Sequence, residues 1–193
     1  MTSHSEARER VLDAAEKLFV ERGYKAVTVK DIAKLAGIHH ASLYHHIPDG
    51  KSALYVEVMT RHMERHSHEM RVAIQQGQGD LRKELQQIAA WLLSQPPIDV
   101  VRLATSDLPA INDVAANTIS DLAFEATVVP IVQVLEAARR RGEIKHPHLG
   151  NIAGAIFSSI EGVHSIPGVY VNRSRQFMAN ELIDVFLRGL QTE

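Results

Sequence analysis

Apolar residues recur along the chain at helical spacing almost from end to end. Between Ala7 and Arg22, the residues Val11, Ala14, Ala15, Leu18 and Phe19 fall on one face at i, i+3, i+4, i+7 and i+8. Gly23 then supplies a stop, because glycine enters the left-handed cap conformation without a Cβ penalty. Thr28 followed by Asp31 has the form of a capping box, with the shorter Asp in place of Glu. Ile32, Ala33, Leu35 and Ala36 carry a second short helix to Gly37, and Ile32, Leu35, Leu43 and Leu18 are expected to share a core. A third helix covers roughly residues 39–46 and ends before Pro48, which disfavours helical geometry at Ile47.

Beyond Lys51 the apolar stripes lengthen. Helices are expected over about 52–76, 80–94 and 98–106, the first closed by Gly77 and Gly79 and the second by Pro96-Pro97. A long helix from Asn112 or Asp113 to Arg141 contains Pro130, which should kink it. Two more follow over about 150–165 and 174–190. No stretch alternates convincingly as paired strands. The fold class is therefore all-α with about nine helices: a head of three short ones, residues 1–51, joined to a larger helical body, residues 52–193.

Composition narrows the functional classes. Forty-five per cent of the 193 residues are hydrophobic, which excludes disorder, and the absence of cysteine excludes disulfides and thiolate metal sites. The charged N-terminus has no apolar core like that of a signal peptide, and no run approaches the roughly 18–20 apolar residues of a membrane span; a cytoplasmic protein without membrane contact is expected. Net charge is only −2, and residues 1–51 hold eight Lys/Arg against seven Asp/Glu. A protein that coats nucleic acid non-specifically would be far more basic, so any DNA binding must come from a few well-placed groups.

Four of the eleven histidines lie within eight residues, in "HHASLYHH", His39 to His46. Two helices joined by a short Gly-containing turn are the layout of a helix-turn-helix, whose second helix enters the DNA major groove. "VKDIAKLAG" would then be the supporting helix and "HHASLYHH" the reader. With Leu43 facing inward, His39, His40, Ser42, Tyr44, His45 and His46 remain on outer or end surfaces, where hydroxyl and imidazole groups bond phosphates or base edges. Thr28 caps the supporting helix. Lys51, at the start of the next helix, adds an ammonium beside free backbone N–H groups and reads as a second phosphate anchor. For Tyr44 and His46 the alternative is a purely structural role. As a metal site the cluster lacks a consistent i, i+3/i+4 face carrying a carboxylate, and none is expected.

The stretch "TVKDIAKLAGIHHASLYHHIPDGKSAL", preceded by "ARERVLDAAEKLFVERGYKAVTV", resembles the N-terminal domain of the tetracycline-repressor (TetR) family of transcriptional regulators. The resemblance rests on helix one, Gly23, Tyr24, Thr28, Ile32, Ala33, Ala36, Gly37, Leu43, Tyr44, His46, Lys51 and Leu54, about a quarter of the chain. It departs from the family at His39, where a small cap such as Ser is common, at Ile47, where Phe is common, and by one extra residue in "IPDGK". What the resemblance implies is a head, residues 1–51, that binds a double-stranded palindromic operator, and a body, residues 52–193, that binds a small effector and dimerises.

The body has features compatible with both tasks. Tyr55, Met59, His62, Met63, His66 and Met70 form one stripe at helical spacing, which suits plain core as well as an adaptable pocket. Trp91, Leu103, Phe124 and Val128 would complete an apolar cavity, with Arg102, Glu125 and His164 as polar handles; such a lining favours a mostly apolar or aromatic ligand. In "GNIAGAIFSSIEGVHSI", Ala153, Gly154, Ser158 and Gly162 allow close helix approach, Phe157 is placed in the same interface, and the last helix presents Phe177, Leu182, Ile183 and Phe186. A homodimer through these helices is expected, intramolecular packing being the alternative.

The function expected is a ligand-responsive regulator, most simply a repressor that the effector releases from its operator, without enzymatic activity or a cofactor. The alternatives are an effector-independent DNA-binding factor and, less favoured, a metal-dependent helical protein built on the histidines. No glycine-rich phosphate loop, H-E-x-x-H or nucleophile elbow supports an enzyme. Effector, operator sequence and regulated genes are not legible at this level.

Overall fold

The computed structural model describes residues 2–190, and among these it is helical throughout, with ten α-helices and no strand. The helices are α1 (Thr2–Ala26), α2 (Val29–Ala36), α3 (His40–Leu43), α4 (Gly50–Gln75), α5 (Leu81–Ser94), α6 (Val100–Arg102), α7 (Asp113–Thr127), α8 (Val129–Arg140), α9 (Leu149–His164) and α10 (Arg175–Leu190). Between α6 and α7 the chain makes a π-turn, Leu103–Asp107, and a 3-10 turn, Leu108–Ala110.

The local chemistry of α2 is well determined. Both halves of the capping box form: the Asp31 N–H donates to Thr28 Oγ1 at 3.2 Å, and the Thr28 N–H donates to the Asp31 carboxylate at 2.9 Å. At the other end Gly37 sits in the left-handed region at φ 68°, with its own N–H on Lys34 O and that of Ile38 on Ala33 O. This is the Schellman closure, and it sets the turn of the helix-turn-helix.

Three boundaries differ from the expected ones. α1 does not end at Gly23 but resumes after it, because Gly23 adopts φ 79° and ψ 168° and only interrupts the helix. α3 ends at Leu43, and the residues to His46 continue as tighter turns, His45 N–H to Ser42 O and His46 N–H to Leu43 O. The helix expected over 112–141 is two helices broken at Val128, because Pro130 in the first turn of α8 lacks an N–H to continue α7.

The chain packs as two units. The first comprises residues 1–64 with 99–123. Its core holds Val11, Leu18, Phe19, Ile32, Leu43, Ile47 and Leu54, all nearly inaccessible, with the Tyr55 ring edge-on to Phe19 at 4.9 Å. Leu35, expected in this core, is 47% exposed. The eight-residue α2 buries only Ile32, Ala33 and Ala36, so Leu35 lies beyond its narrow inner stripe. Ion pairs also join α1 to α4: Arg61 to Glu9 and Asp13, and Arg8 to Glu57.

The second unit comprises residues 65–98 with 124–193, and α5, α8, α9 and α10 pack on one another there. Its core runs through Met70, Leu85, Ile88, Leu92, Ile131, Leu135, Ile156, Ile160 and Ile183. Lys51, expected to separate a reading head from a sensing body, lies inside the first packing unit.

Candidate DNA-binding surface

The reader surface is built around one buried side chain. Leu43 is fully buried and pins α3 to the head, while Ala41, Ser42, Tyr44 and His45 are exposed and His40 and His46 half-buried. Tyr44 is 53% exposed, with the His40 ring edge-on to it at 5.4 Å. A large amphipathic ring left this open is suited to contact with a partner rather than to covering the core. His39 caps α3, its Nδ1 accepting the Ala41 N–H at 3.3 Å, and so does the work of the family's usual small cap while remaining exposed. Thr28 is exposed at the start of α2, and hydrogen bonds from its side chain and its amide hold the Asp31 carboxyl below its ordinary range. Lys30 and Lys34 are exposed on the same short helix.

Lys51 is placed differently from the sequence expectation. Its Nζ donates to Tyr24 O at 2.6 Å and lies over the Tyr24 ring, 4.0 Å from its centre. Burial lowers its pKa, and the negative charge of Asp107 opposes that shift. The same surroundings raise the pKa of buried Tyr55, through burial first and then the Asp107 charge.

Asp107 is the functional candidate that sequence reasoning missed. It is 3% exposed and accepts the Tyr24 N–H at 2.9 Å, the first amide past the break in α1. Arg102 lies beside it, Nε to carboxylate at 3.5 Å, and donates to Val20 O at 2.9 Å and Glu21 O at 3.3 Å. Arg102 was expected as a polar handle for an effector, but here its guanidinium takes the carbonyls left free at the end of α1. No local periodicity marks Asp107, since Tyr24 is 83 positions away and Arg102 is brought to it through a π-turn.

The other effector candidates divide between the units. In the first, Met59 and Met63 are buried, Leu103 is half-buried, and His62 Nδ1 lies 3.1 Å from Glu16. In the second, buried His66 stands edge-on to Trp91 at 4.2 Å, His164 Nε2 lies 3.3 Å from Leu92 O, and Val128 packs against the core. Phe124, at 52% exposed, and Glu125 face solvent on α7. Glu161, which the sequence reading passed over, is 8% exposed and accepts the Ile98 N–H at 2.8 Å; burial raises its pKa. A lone acid within the apolar "IFSSIEGV" was the available signal.

Of the residues assigned to a dimer interface, Ala153, Phe157 and Ile183 belong to the core of the second unit itself. Gly154, Leu182 and Phe186 are half-buried, and Ser158, Gly162 and Phe177 exposed. Val185, on α10, is 66% exposed. Among the described residues, no three His, Asp or Glu side chains converge as a metal site, and no single helix is long and apolar enough to cross a membrane.

A capped helix, a left-handed glycine turn and a short helix with an exposed polar face define a helix-turn-helix DNA-binding domain. Residues 11–58 match the model of the bacterial regulatory proteins of the tetR family. The chain is 42% identical over 60 residues to the HTH-type transcriptional regulator YxaF of Bacillus subtilis, itself uncharacterized, a match covering 31% of each protein. It is 50% identical over 52 residues to the HTH-type transcriptional repressor KstR2 of Rhodococcus jostii, covering 27% of this chain and 25% of that repressor. The chain thus matches a quarter to a third of the length of these curated relatives. In fold it is similar over 96% of its length to the reduced form of E. coli NemR, with 97% of that chain covered, a TM-score of 0.72 and 18% identity. The fold is also similar to that of the fatty acid degradation regulator FadR of Bacillus halodurans, over 95% of this chain and 99% of that one, with a TM-score of 0.70 and 18% identity. Residues 11–58 thus carry the DNA-binding domain of the tetR family of bacterial regulatory proteins. This is a family of DNA-binding regulators rather than enzymes.

Proposed function

We propose that the chain is a ligand-responsive transcriptional repressor that binds a palindromic operator as a homodimer and is released by a small, mostly apolar or aromatic effector. The observation that carries the DNA half of this reading is the surface of exposed Ser42, Tyr44 and His45 and half-buried His40 around buried Leu43, behind a Schellman-closed turn. Tyr44 bonds phosphates and sets the register, beside the exposed start of α2 at Thr28, while His40 and Ser42, at the start of the reader, contact base edges. His39, His45 and His46 border this face, where imidazoles add positive charge as pH falls. Two such heads in a dimer hold their readers about 34–36 Å apart, one turn of DNA.

Dimerisation is supported by the outer sides of α9 and α10, where Ser158 and Gly162 leave room for a close helix and Phe177 and Val185 stay open. The chain's relatives include proteins named as repressors, and such a regulator works in the cytoplasm, where its operator is. The effector half rests on the Met-rich stripe of α4 and, within the second unit, on buried Glu161 and half-buried His164 as polar handles in apolar surroundings. An effector releases the operator only in so far as it binds the DNA-incompetent state more tightly.

The test is selection of bound sequences from randomised duplex DNA at one fixed salt concentration. A recovered palindrome with half-sites about one helical turn apart supports the reading. Binding that recovers no motif and vanishes at moderate salt contradicts it.

A further inference from the structure

The end of α1 is held by two side chains that arrive from far along the chain. Residues 20–24 present free carbonyls and one amide where Gly23 interrupts the helix. Arg102 takes the carbonyls of Val20 and Glu21, and buried Asp107 takes the amide of Tyr24. Lys51 takes the carbonyl of Tyr24 from the other direction. The fit is close: a Cβ on Gly23 would stand 2.7 and 2.9 Å from the two Asp107 oxygens and 3.0 Å from Arg102 Cδ. Only glycine allows the carboxylate so near the backbone, and Gly23 also holds a positive φ of 79°.

The π-turn explains how Arg102 and Asp107 work together. They are five positions apart, and in an α-helix five residues carry a side chain about 140° round the axis. Here the Leu108 N–H bonds back to Leu103 O, an i→i+5 closure, which returns the fifth residue to nearly the same side. Both side chains therefore reach the end of α1. A return to α spacing over 103–107 would swing Asp107 away and leave the Tyr24 amide unpaired. The clamp also lies between residues of the second unit along the chain, which stop at Ile98 and resume at Phe124.

We propose that Arg102 and Asp107 form a π-register clamp on the end of α1, with Lys51 as its third member, and that closure of this clamp holds the reader in its DNA-binding position. The proposal rests on the DNA-binding reading above. Thr28, which opens α2, is four residues from Tyr24, so the clamp fixes where the supporting helix begins, and the Gly37 turn carries that position on to the reader α3. Asp107, Arg102 and Lys51 are positioning residues in this account and touch no DNA.

The experiment measures affinity for the duplex that the wild-type chain selects, over a series of salt concentrations, with circular dichroism reporting the folded fraction. Asp107→Ala is expected to lower the affinity of folded molecules about tenfold, as when the competent fraction falls to about a tenth. The slope of log affinity against log salt should stay at the wild-type value, because no phosphate contact is lost. Asp107→Asn keeps an acceptor for Tyr24 and should recover part of the loss, which a role in folding alone would not produce at constant folded fraction. Lys51→Met should likewise weaken binding at unchanged slope; a slope shallower by about one would make Lys51 a phosphate contact and overturn its place in the clamp. Folded Asp107→Ala binding as tightly as wild type overturns the clamp. Should that variant not fold, Asp107→Asn decides on the same terms, weaker binding at unchanged slope supporting the clamp and wild-type affinity overturning it. A wild-type chain that selects no motif overturns the DNA-binding reading itself, so the two failures are distinct.

Discussion

Gly23→Ala should be among the most damaging single-methyl changes in the chain, and its cost has two separable parts. At φ 79° and ψ 168° the residue occupies a region essentially reserved for glycine, where an L side chain costs about 1–3 kcal/mol. The new Cβ also displaces the Asp107 carboxylate, whose oxygens stand 2.7 and 2.9 Å away. That leaves a buried acceptor and the Tyr24 amide without each other, about another 1–3 kcal/mol. Together the loss is about 2–6 kcal/mol, which lowers the melting temperature by several degrees or more in a protein of this size. Gly37→Ala is the control. Gly37 has a similar φ of 68°, but nothing lies within 4 Å of its would-be Cβ, so only strain of about 1–2 kcal/mol applies. Urea or thermal unfolding followed by circular dichroism measures both. The double change Gly23→Ala with Asp107→Ala then tests the mechanism: once the carboxylate is gone, adding the Gly23 methyl should cost only its backbone part. Strictly additive effects, or a Gly23→Ala no worse than Gly37→Ala, would refute the close approach on which the clamp depends.

Other outcomes follow from single contacts. Thr28→Ala removes a capping box with both halves formed and should cost about 1 kcal/mol in unfolding experiments, whatever its effect on DNA. Glu161 has a carboxyl whose pKa burial raises above 4.5, so the folded state keeps its proton to higher pH than the unfolded chain does; wild-type stability should fall relative to Glu161→Gln as pH rises from about 4.5 towards neutrality. A pH-independent difference in urea midpoint between the two would contradict this. Tyr44→Ala should leave stability nearly unchanged, since the ring is 53% exposed, and should weaken binding to all duplexes alike.

Much of the head was legible because its signals are local. Thr28 and Asp31 are three residues apart, Gly37 needs only its own backbone conformation, and Leu43 is the one large aliphatic residue in the reader. Leu35 misled because a period fitted over eight residues cannot tell the inner stripe from its edge; the side chain lies just outside a face made of Ile32, Ala33 and Ala36. Lys51 reads the same at the sequence level whether its ammonium points to solvent or back to Tyr24, and only the tertiary fold decides. Arg102 and Asp107 were beyond reach for a different reason. Their partners are about eighty positions away, and a π-turn aligns them where ordinary helical spacing would separate them. On α9, apolar spacing marked Ala153 and Phe157 correctly as helix-packing residues, but periodicity does not say which helix they pack on, and these two face the core of their own unit.

The most direct test of the central claim, that His40 and Ser42 read base edges while Tyr44 only sets register, is a side-by-side selection from randomised duplex by the wild-type chain, His40→Ala and Tyr44→Ala. The account predicts that the His40 variant recovers a motif changed at one symmetric position in each half-site, and that the Tyr44 variant recovers the wild-type motif at lower affinity. A His40 variant that recovers the unchanged motif with only weaker binding would contradict it.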